Sequence, residues 1–346
     1  MYSSPMTRRE VHRILWHLGG SVCAILPMTI PLTRSAAGGE QESQPKTDGT
    51  EEPSGSEATA RLTYDQAKTQ RYRCGLNLQT GTAQCRGVVT TFPVPRPWPE
   101  QEVTMLDSSI DPIFSHWTTR EIEGLVTQFV AETKNISANT TASALMTFQL
   151  TRYRIVGPEK TDDLQIPAKA DRQLRNFLGS SPYIDPGSGR IRAAVREIQA
   201  IPAGTAWQRV ESIYDWVREK ITYQEGDIKS ADDAIQDGAG DCEELTSAFI
   251  AICRAMRIPA RMVHVLMHCY PEFYLEDPAG HGEWYPCQVA GTRQFGSMEE
   301  YRPILQKGDR FKTPEQPLRR YVAEFFKAQQ VQGGKPKPSF VQELLD

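Results

Sequence analysis

Cys242 stands where a sequence can make a cysteine reactive. It follows Gly238-Ala239-Gly240-Asp241 and opens a run in which Leu245, Phe249, Ile252 and Met256 recur at helical spacing. The glycines stop one element, Asp241 is an N-cap, and Glu244 three residues later completes a capping box. Cys242 is therefore predicted at the first helical position. Unpaired N–H groups and the positive end of the helix dipole stabilise a thiolate there. Glu243 and Glu244 oppose that effect, so a strong shift calls for a neighbouring imidazolium. A thiol nucleophile also needs a base. Past the helix lie His264, within a strand reading of 257–265, His268, at the head of a strand reaching Leu275, and His281, in a turn rich in Asp, Pro and Gly at 277–282. His268 is the expected base. His264 reads as a structural strand residue and His281 as an exposed one. Cys253, about three turns along the helix, reads as a small core hydrophobe. The Cys242 backbone N–H is a candidate oxyanion donor.

The elements that position these residues follow from periodicity. Trp207, Val210, Tyr214, Val217 and Ile221 fall on one face of a helix before the cysteine. A return strand, 283–289, follows the turn. Residues 63–160 are rich in Thr, Val, Tyr and Phe with Gly and Pro turns, and read as a β-sandwich-like accessory domain. Within it, 72–78 and 83–85 around Gln79-Thr80-Gly81 carry a hairpin signal. Cys74 and Cys85 flank that turn, either as a disulfide or as two half-buried thiols. Phe92–Pro99 has prolines at alternate positions and must be an extended edge or loop. Leu318–Ala328, with Tyr321, Val322, Phe325 and Phe326, is predicted as an amphipathic helix docked on the core.

With 346 residues, the chain has room for about two domains. Residues 1–37 have the order of a signal peptide: Arg8, Arg9 and Arg13, an apolar stretch from Ile14 to Leu32, then Ser35-Ala36-Ala37. Cleavage after Ala37 is favoured over a retained anchor by the glycines and prolines of the apolar stretch. Thr7-Arg8-Arg9 is a weak twin-arginine signal. Those 37 residues hold four Arg and one Glu, so removing them takes the net charge from −4 to −7. Such a balance excludes nucleic-acid binding through a broad basic field. Residues 38–62 lack aromatics and read as a disordered linker. The remaining expected boundaries are a catalytic domain at 165–330 and a C-terminal tail at 331–346. Cys269, Cys287 and His281 lack metal-ligand spacing, and Gly238-x-Gly240 lacks the context of a phosphate loop. No metal and no cofactor is expected.

The ordered blocks Gly240-Asp241-Cys242-Glu243-Glu244, Ala255-Met256-Arg257-Ile258-Pro259-Ala260-Arg261, His268 with Tyr270–Leu275, and Trp284-Tyr285-Pro286 resemble the transglutaminase-like superfamily over about residues 190–292. The resemblance implies an α+β fold, with a papain-like helix packed on an antiparallel sheet, and a Cys–His–Asp triad. Cys242 matches the nucleophile and His268 the base. Where the family's Trp-x-Pro-x-Asp pattern carries aspartate, this chain has Gln288. A glutamine oxygen can accept from the imidazole Nδ1–H and fix its tautomer, but cannot stabilise the imidazolium as a carboxylate does. Asp277, about 30 Å along the His268 strand, is a disfavoured alternative. If Gln288 directly faces His268, then Cys269 faces Cys287 on the other side of the sheet, as a cross-strand disulfide or a close reduced pair. The resemblance implies a thiol enzyme acting on a protein or peptide, through hydrolysis or amine transfer, and the leader pattern of residues 1–37 makes it an exported one. A catalytically weakened peptide-binding scaffold is the alternative. Membrane contact is expected only through an uncleaved leader.

Overall fold

The computed structural model describes residues 61–345. The expected leader, 1–37, and the expected linker as far as residue 60 lie outside them. Leu62, at the end of the expected linker, donates its N–H to Glu283 Oε2 at 3.1 Å and packs on the second core.

Two four-stranded antiparallel sheets form a sandwich. The strands are β1 (Thr63–Gln79), β2 (Gln84–Val94), β3 (Gln101–Ile110), β4 (His116–Ile122), β5 (Val126–Ile136) and β6 (Thr141–Val156). They are joined by β14 (Phe325–Gln332) and β15 (Lys337–Leu345), in the orders β15-β1-β6-β3 and β14-β2-β5-β4. Along β1, Tyr72, Cys74, Leu76 and Leu78 alternate inward, as a half-buried strand requires, and meet Phe92, Phe129 and Phe148 between the sheets.

Three expectations change here. The segments around Gln79-Thr80-Gly81 are no hairpin. β1 already has β6 on one edge and β15 on the other, so β2 has no edge of β1 to pair with and enters the opposite sheet. Cys74 and Cys85 are thus buried on facing sheets and are not disulfide-bonded. The helix expected over Leu318–Ala328 is absent. Phe325 and Phe326 start a strand that pairs with Thr91 and Thr90 of β2. The stretch read as a tail, 331–346, supplies β15, which runs antiparallel to β1 from Arg71↔Leu345 to Gln79↔Lys337. Pro93 of β2 lies beyond Thr91, the partner of the first residue of β14, so its missing N–H breaks no ladder on that side.

The second core packs helices on a five-stranded antiparallel sheet. In chain order the helices are α1 (Arg172–Arg175), α2 (Gly189–Gln199), α3 (Ala206–Lys220), α4 (Ala231–Asp237) and α5 (Cys242–Ala255). Two two-residue strands, β7 (Thr222–Tyr223) and β8 (Ala239–Gly240), pair in parallel. The sheet contains β9 (Ala260–Val265), β10 (His268–Glu276), β11 (Gly282–Gln288), β12 (Gln294–Phe295) and β13 (Ile304–Lys307), in the order β12-β11-β10-β9-β13. Helix α5 is central: every residue from Glu243 to Arg254 is buried. Its Phe249 packs toward Phe273 of β10, and Cys253 is fully buried in the same cluster, as its apolar position predicts. The C-terminal turn of α5 is fixed by Arg254, which is fully buried. It donates to Asp309 at 2.7 Å and to the carbonyls of Ala260 and Gly179. Those bonds satisfy a charge that would otherwise be very costly to bury.

The sandwich and the second core share contacts. Leu266 and Leu305 insert into the sandwich core. Lys307 meets Glu100 of the sandwich side and Glu272 of β10, each at 2.6 Å, and Arg261 pairs with Glu272 at 2.6 Å. Arg152 of β6 donates to the carbonyls of Glu100 and Glu300. Four charged side chains buried in one network hold the sheets in a single arrangement, because breaking one pair strands another charge.

Candidate active site

Cys242 occupies the first position of α5, as its sequence context predicts. Asp241 accepts from the Glu243 N–H at 2.8 Å and from the Glu244 N–H, while Glu244 Oε2 accepts from the Asp241 N–H at 2.9 Å. This is the full capping box. It uses the next two helix N–H groups and leaves that of Cys242 outside the cap, at the positive end of the dipole. The approach to the helix is fixed by β8, whose Gly240 pairs with Tyr223. A Cβ on Gly240 would lie 2.6 Å from the Glu244 Cβ, so only glycine lets the capping glutamate fold back. Burial, and then the hydrogen bond with the Asp241 carboxylate, push the Glu244 carboxyl up to about 7.

His268 opens β10 after a two-residue turn, Leu266-Met267, that joins it to β9 through the pair Val265↔His268. Met267 adopts φ 60, and both turn residues pack on the sandwich core. The turn that presents the histidine is thereby pinned from outside the sheet. His268 Nε2 lies 3.1 Å from Gln288 Oε1. An amide oxygen only accepts, so Nε2 carries the hydrogen and Nδ1 keeps the lone pair that can take the thiol proton. The sequence reading had assigned Gln288 to Nδ1; the structure puts it on Nε2. Gln288 is itself buried, and its carbonyl accepts from Tyr214 Oη at 2.8 Å and Arg218 at 3.1 Å.

The strand register corrects the expected opposition. β10 and β11 pair from Glu272↔Pro286 to Glu276↔Gly282. Continued toward His268, that register leaves Gln288 two residues out of step with it. The two side chains share a face as diagonal neighbours, and glutamine is long enough to span the gap. The same offset separates Cys269 from Cys287, and no disulfide joins them. Cys269 instead reaches the first turn of α5: its Sγ lies 3.9 Å from Thr246 Oγ1. Sequence reasoning missed this contact, although its adjacency to His268 was the available signal. The Cys242 thiol is held well below the usual cysteine range. The Cys269 hydrogen bond contributes most; burial opposes it, and the hydrogen bond and charge of His268 reinforce it.

The other candidate histidines have partners of their own. His264 is buried on β9, its ring 5.0 Å from that of Tyr321. His281 is largely exposed and meets Asp277 Oδ2 at 3.3 Å, which also ties Asp277 to its own turn. Two ion pairs near the site were not foreseen. Arg320 pairs with Glu243, the neighbour of the nucleophile, and Arg302 pairs with Glu300. Arg320 and Arg302 lie 78 and 60 residues beyond Cys242, so only the tertiary fold brings them here. Among the described residues, no group of His, Cys, Asp and Glu is arranged to hold a metal.

Comparison with known proteins shows what this part of the chain is similar to. The model of the transglutaminase-like superfamily matches residues 192–289, a span that contains Cys242, His268 and Gln288. A solved structure of a proposed cysteine protease from Cytophaga hutchinsonii superposes with a TM-score of 0.55 at 18% identity, covering 82% of this chain and 94% of that one. This likeness extends the shared fold beyond the matched segment. A proposed protease from Parabacteroides distasonis gives a TM-score of 0.26 at 12% identity over 67% of this chain and 48% of that one, too low to bear on the fold. The comparison with curated proteins found no match.

Proposed function

We propose that this chain, with its transglutaminase-like core at residues 192–289, is an exported thiol enzyme that attacks a peptide or carboxamide carbonyl through Cys242. One observation carries the reading: His268 Nε2 is held 3.1 Å from Gln288 Oε1, and the charge of that histidine helps to hold the Cys242 thiol at the start of α5 well below the usual cysteine range. His268 Nδ1 takes the thiol proton, and the Cys242 sulfur adds to the carbonyl carbon. The developing oxyanion lies at the end of α5, where the Cys242 N–H and the helix dipole favour negative charge. Collapse forms a thioester as His268 protonates the departing amine. Water then releases an acid, which is hydrolysis, or a second amine forms a new amide, which is transfer. The name of the Cytophaga hutchinsonii protein supports the hydrolytic branch. The leader pattern of residues 1–37 supports export.

Casein, incubated with and without a labelled primary amine, tests the reading. Peptide release by wild type, lowered about 10³-fold or more in Cys242→Ala, identifies a protease. Cys242-dependent incorporation of the amine identifies a transferase. Equal behaviour of the two proteins in both assays favours the second reading, a peptide-binding scaffold, for which glutamine in place of aspartate at 288 is the supporting observation.

A further inference from the structure

Acyl transfer at Cys242 needs a single sulfur, yet the site contains two. Cys269 follows the base directly on β10 and is fully buried, whereas Cys242 is partly exposed. The Cys269 sulfur lies 3.9 Å from Thr246 Oγ1. Thr246 is four residues after Cys242, one turn along the same face of α5. Cys269 therefore lies against the first turn of that helix, which Cys242 opens. The remaining thiols of the second core are elsewhere: Cys253 is about three turns down α5, and Cys287 of β11 pairs with Phe295 of β12.

We propose that Cys242 and Cys269 form an oxidation site, in which a peroxide converts the nucleophile to a Cys242–Cys269 disulfide that a thiol reductant reverses. In the first step the Cys242 thiolate attacks a peroxide oxygen. The O–O bond breaks, giving Cys242–S–OH and hydroxide. Cys269 then attacks the sulfenic sulfur; the S–S bond forms, the S–O bond breaks, and water leaves with the Cys269 proton. Hydrogen peroxide gains two electrons and the two thiols lose them. The accessible partner meets the oxidant and the buried one resolves it, the arrangement that stops oxidation before the irreversible sulfinic stage. Loss of activity on oxidation rests on the thiol-enzyme reading; formation of the disulfide does not.

The test treats the native chain with a small excess of hydrogen peroxide, blocks the remaining thiols, and maps peptides without reduction. Wild type should yield the Cys242 peptide joined to the Cys269 peptide. Its casein activity should fall about tenfold or more and return with dithiothreitol. Cys269→Ser should yield Cys242 as sulfinic acid, with no recovery on reduction. Wild type in which Cys269 is alkylated while Cys242 is over-oxidised would overturn the proposal, as would Cys269→Ser recovering as fully as wild type. If wild type has no casein activity, the peptide map alone still decides the disulfide, while the enzymatic reading fails separately. If Cys269→Ser does not fold, the wild-type map carries the test.

Discussion

Gln288 is the residue at which this site departs from the transglutaminase-like pattern it resembles, and its geometry sets what it can contribute. Its oxygen, 3.1 Å from His268 Nε2, orients the ring and selects the tautomer, but it brings no charge to the imidazolium. A neutral hydrogen bond is worth about 1 kcal/mol. Gln288→Ala should therefore lower kcat/KM on a cleaved peptide about fivefold to tenfold, far less than loss of the nucleophile. Gln288→Asp should raise it above wild type by stabilising the thiolate–imidazolium pair. Steady-state kinetics of both variants check this, and an unchanged Gln288→Ala would remove the orienting role. Cys242 and His268 were legible because each sits at a position with its own local signature, a helix start and a strand start. The Gln288 contact was legible only in part. Direct opposition is the simplest register to assume, whereas the native pair is diagonal, and two residues of offset also undid the expected Cys269–Cys287 neighbourhood.

At the scale of elements, the start of α5 decides where the thiol points. The capping box that the sequence foretold is present, and its glutamate is unusual. Glu244 is buried, and burial with the adjacent Asp241 carboxylate raises its carboxyl to about 7. An unfolded glutamate titrates near 4.3. A carboxyl whose folded value is raised contributes stability that is complete below the unfolded value and is lost as pH rises through the folded one. Between about pH 5 and pH 8, wild type should lose melting temperature relative to Glu244→Gln, which cannot titrate. Thermal unfolding of both across that range checks it, and parallel profiles would contradict it. Helix α5 also shows why local patterns succeed in one place and fail in another. Its cap, apolar stripe and preceding glycines agree with one another. At 318–328 the spacing of Tyr321, Val322, Phe325 and Phe326 imitates a helix, but the edge of β2 offers hydrogen bonds that only a strand can accept. Long-range pairing overrides spacing there, and the same competition for edges sends β1 and β2 into different sheets.

The whole molecule brings the site together from distant stretches of chain. The sandwich holds the Leu266-Met267 turn from one side, and the Lys307–Glu272–Arg261 cluster links β9, β10 and β13 from the other. The β-rich N-terminal region was legible in composition and periodicity, and the α+β class in the resemblance of residues 190–292 to the transglutaminase-like superfamily. Completion of the sandwich by the last two strands was not, because pairing between residue 71 and residue 345 leaves no local trace. The lowered Cys242 thiol is a property of that assembly, since Cys269 and His268 reach it only in the folded chain. The measurement that most directly tests the account is the pH dependence of Cys242 alkylation by iodoacetamide, read on the Cys242 peptide in native and urea-unfolded protein. The native rate should hold its plateau well below pH 8.5 and the unfolded rate should reach half-maximum near 8.5, the ordinary cysteine value. A native Cys242 that titrates at or above 8.5 would contradict an activated nucleophile, and with it the proposed enzyme.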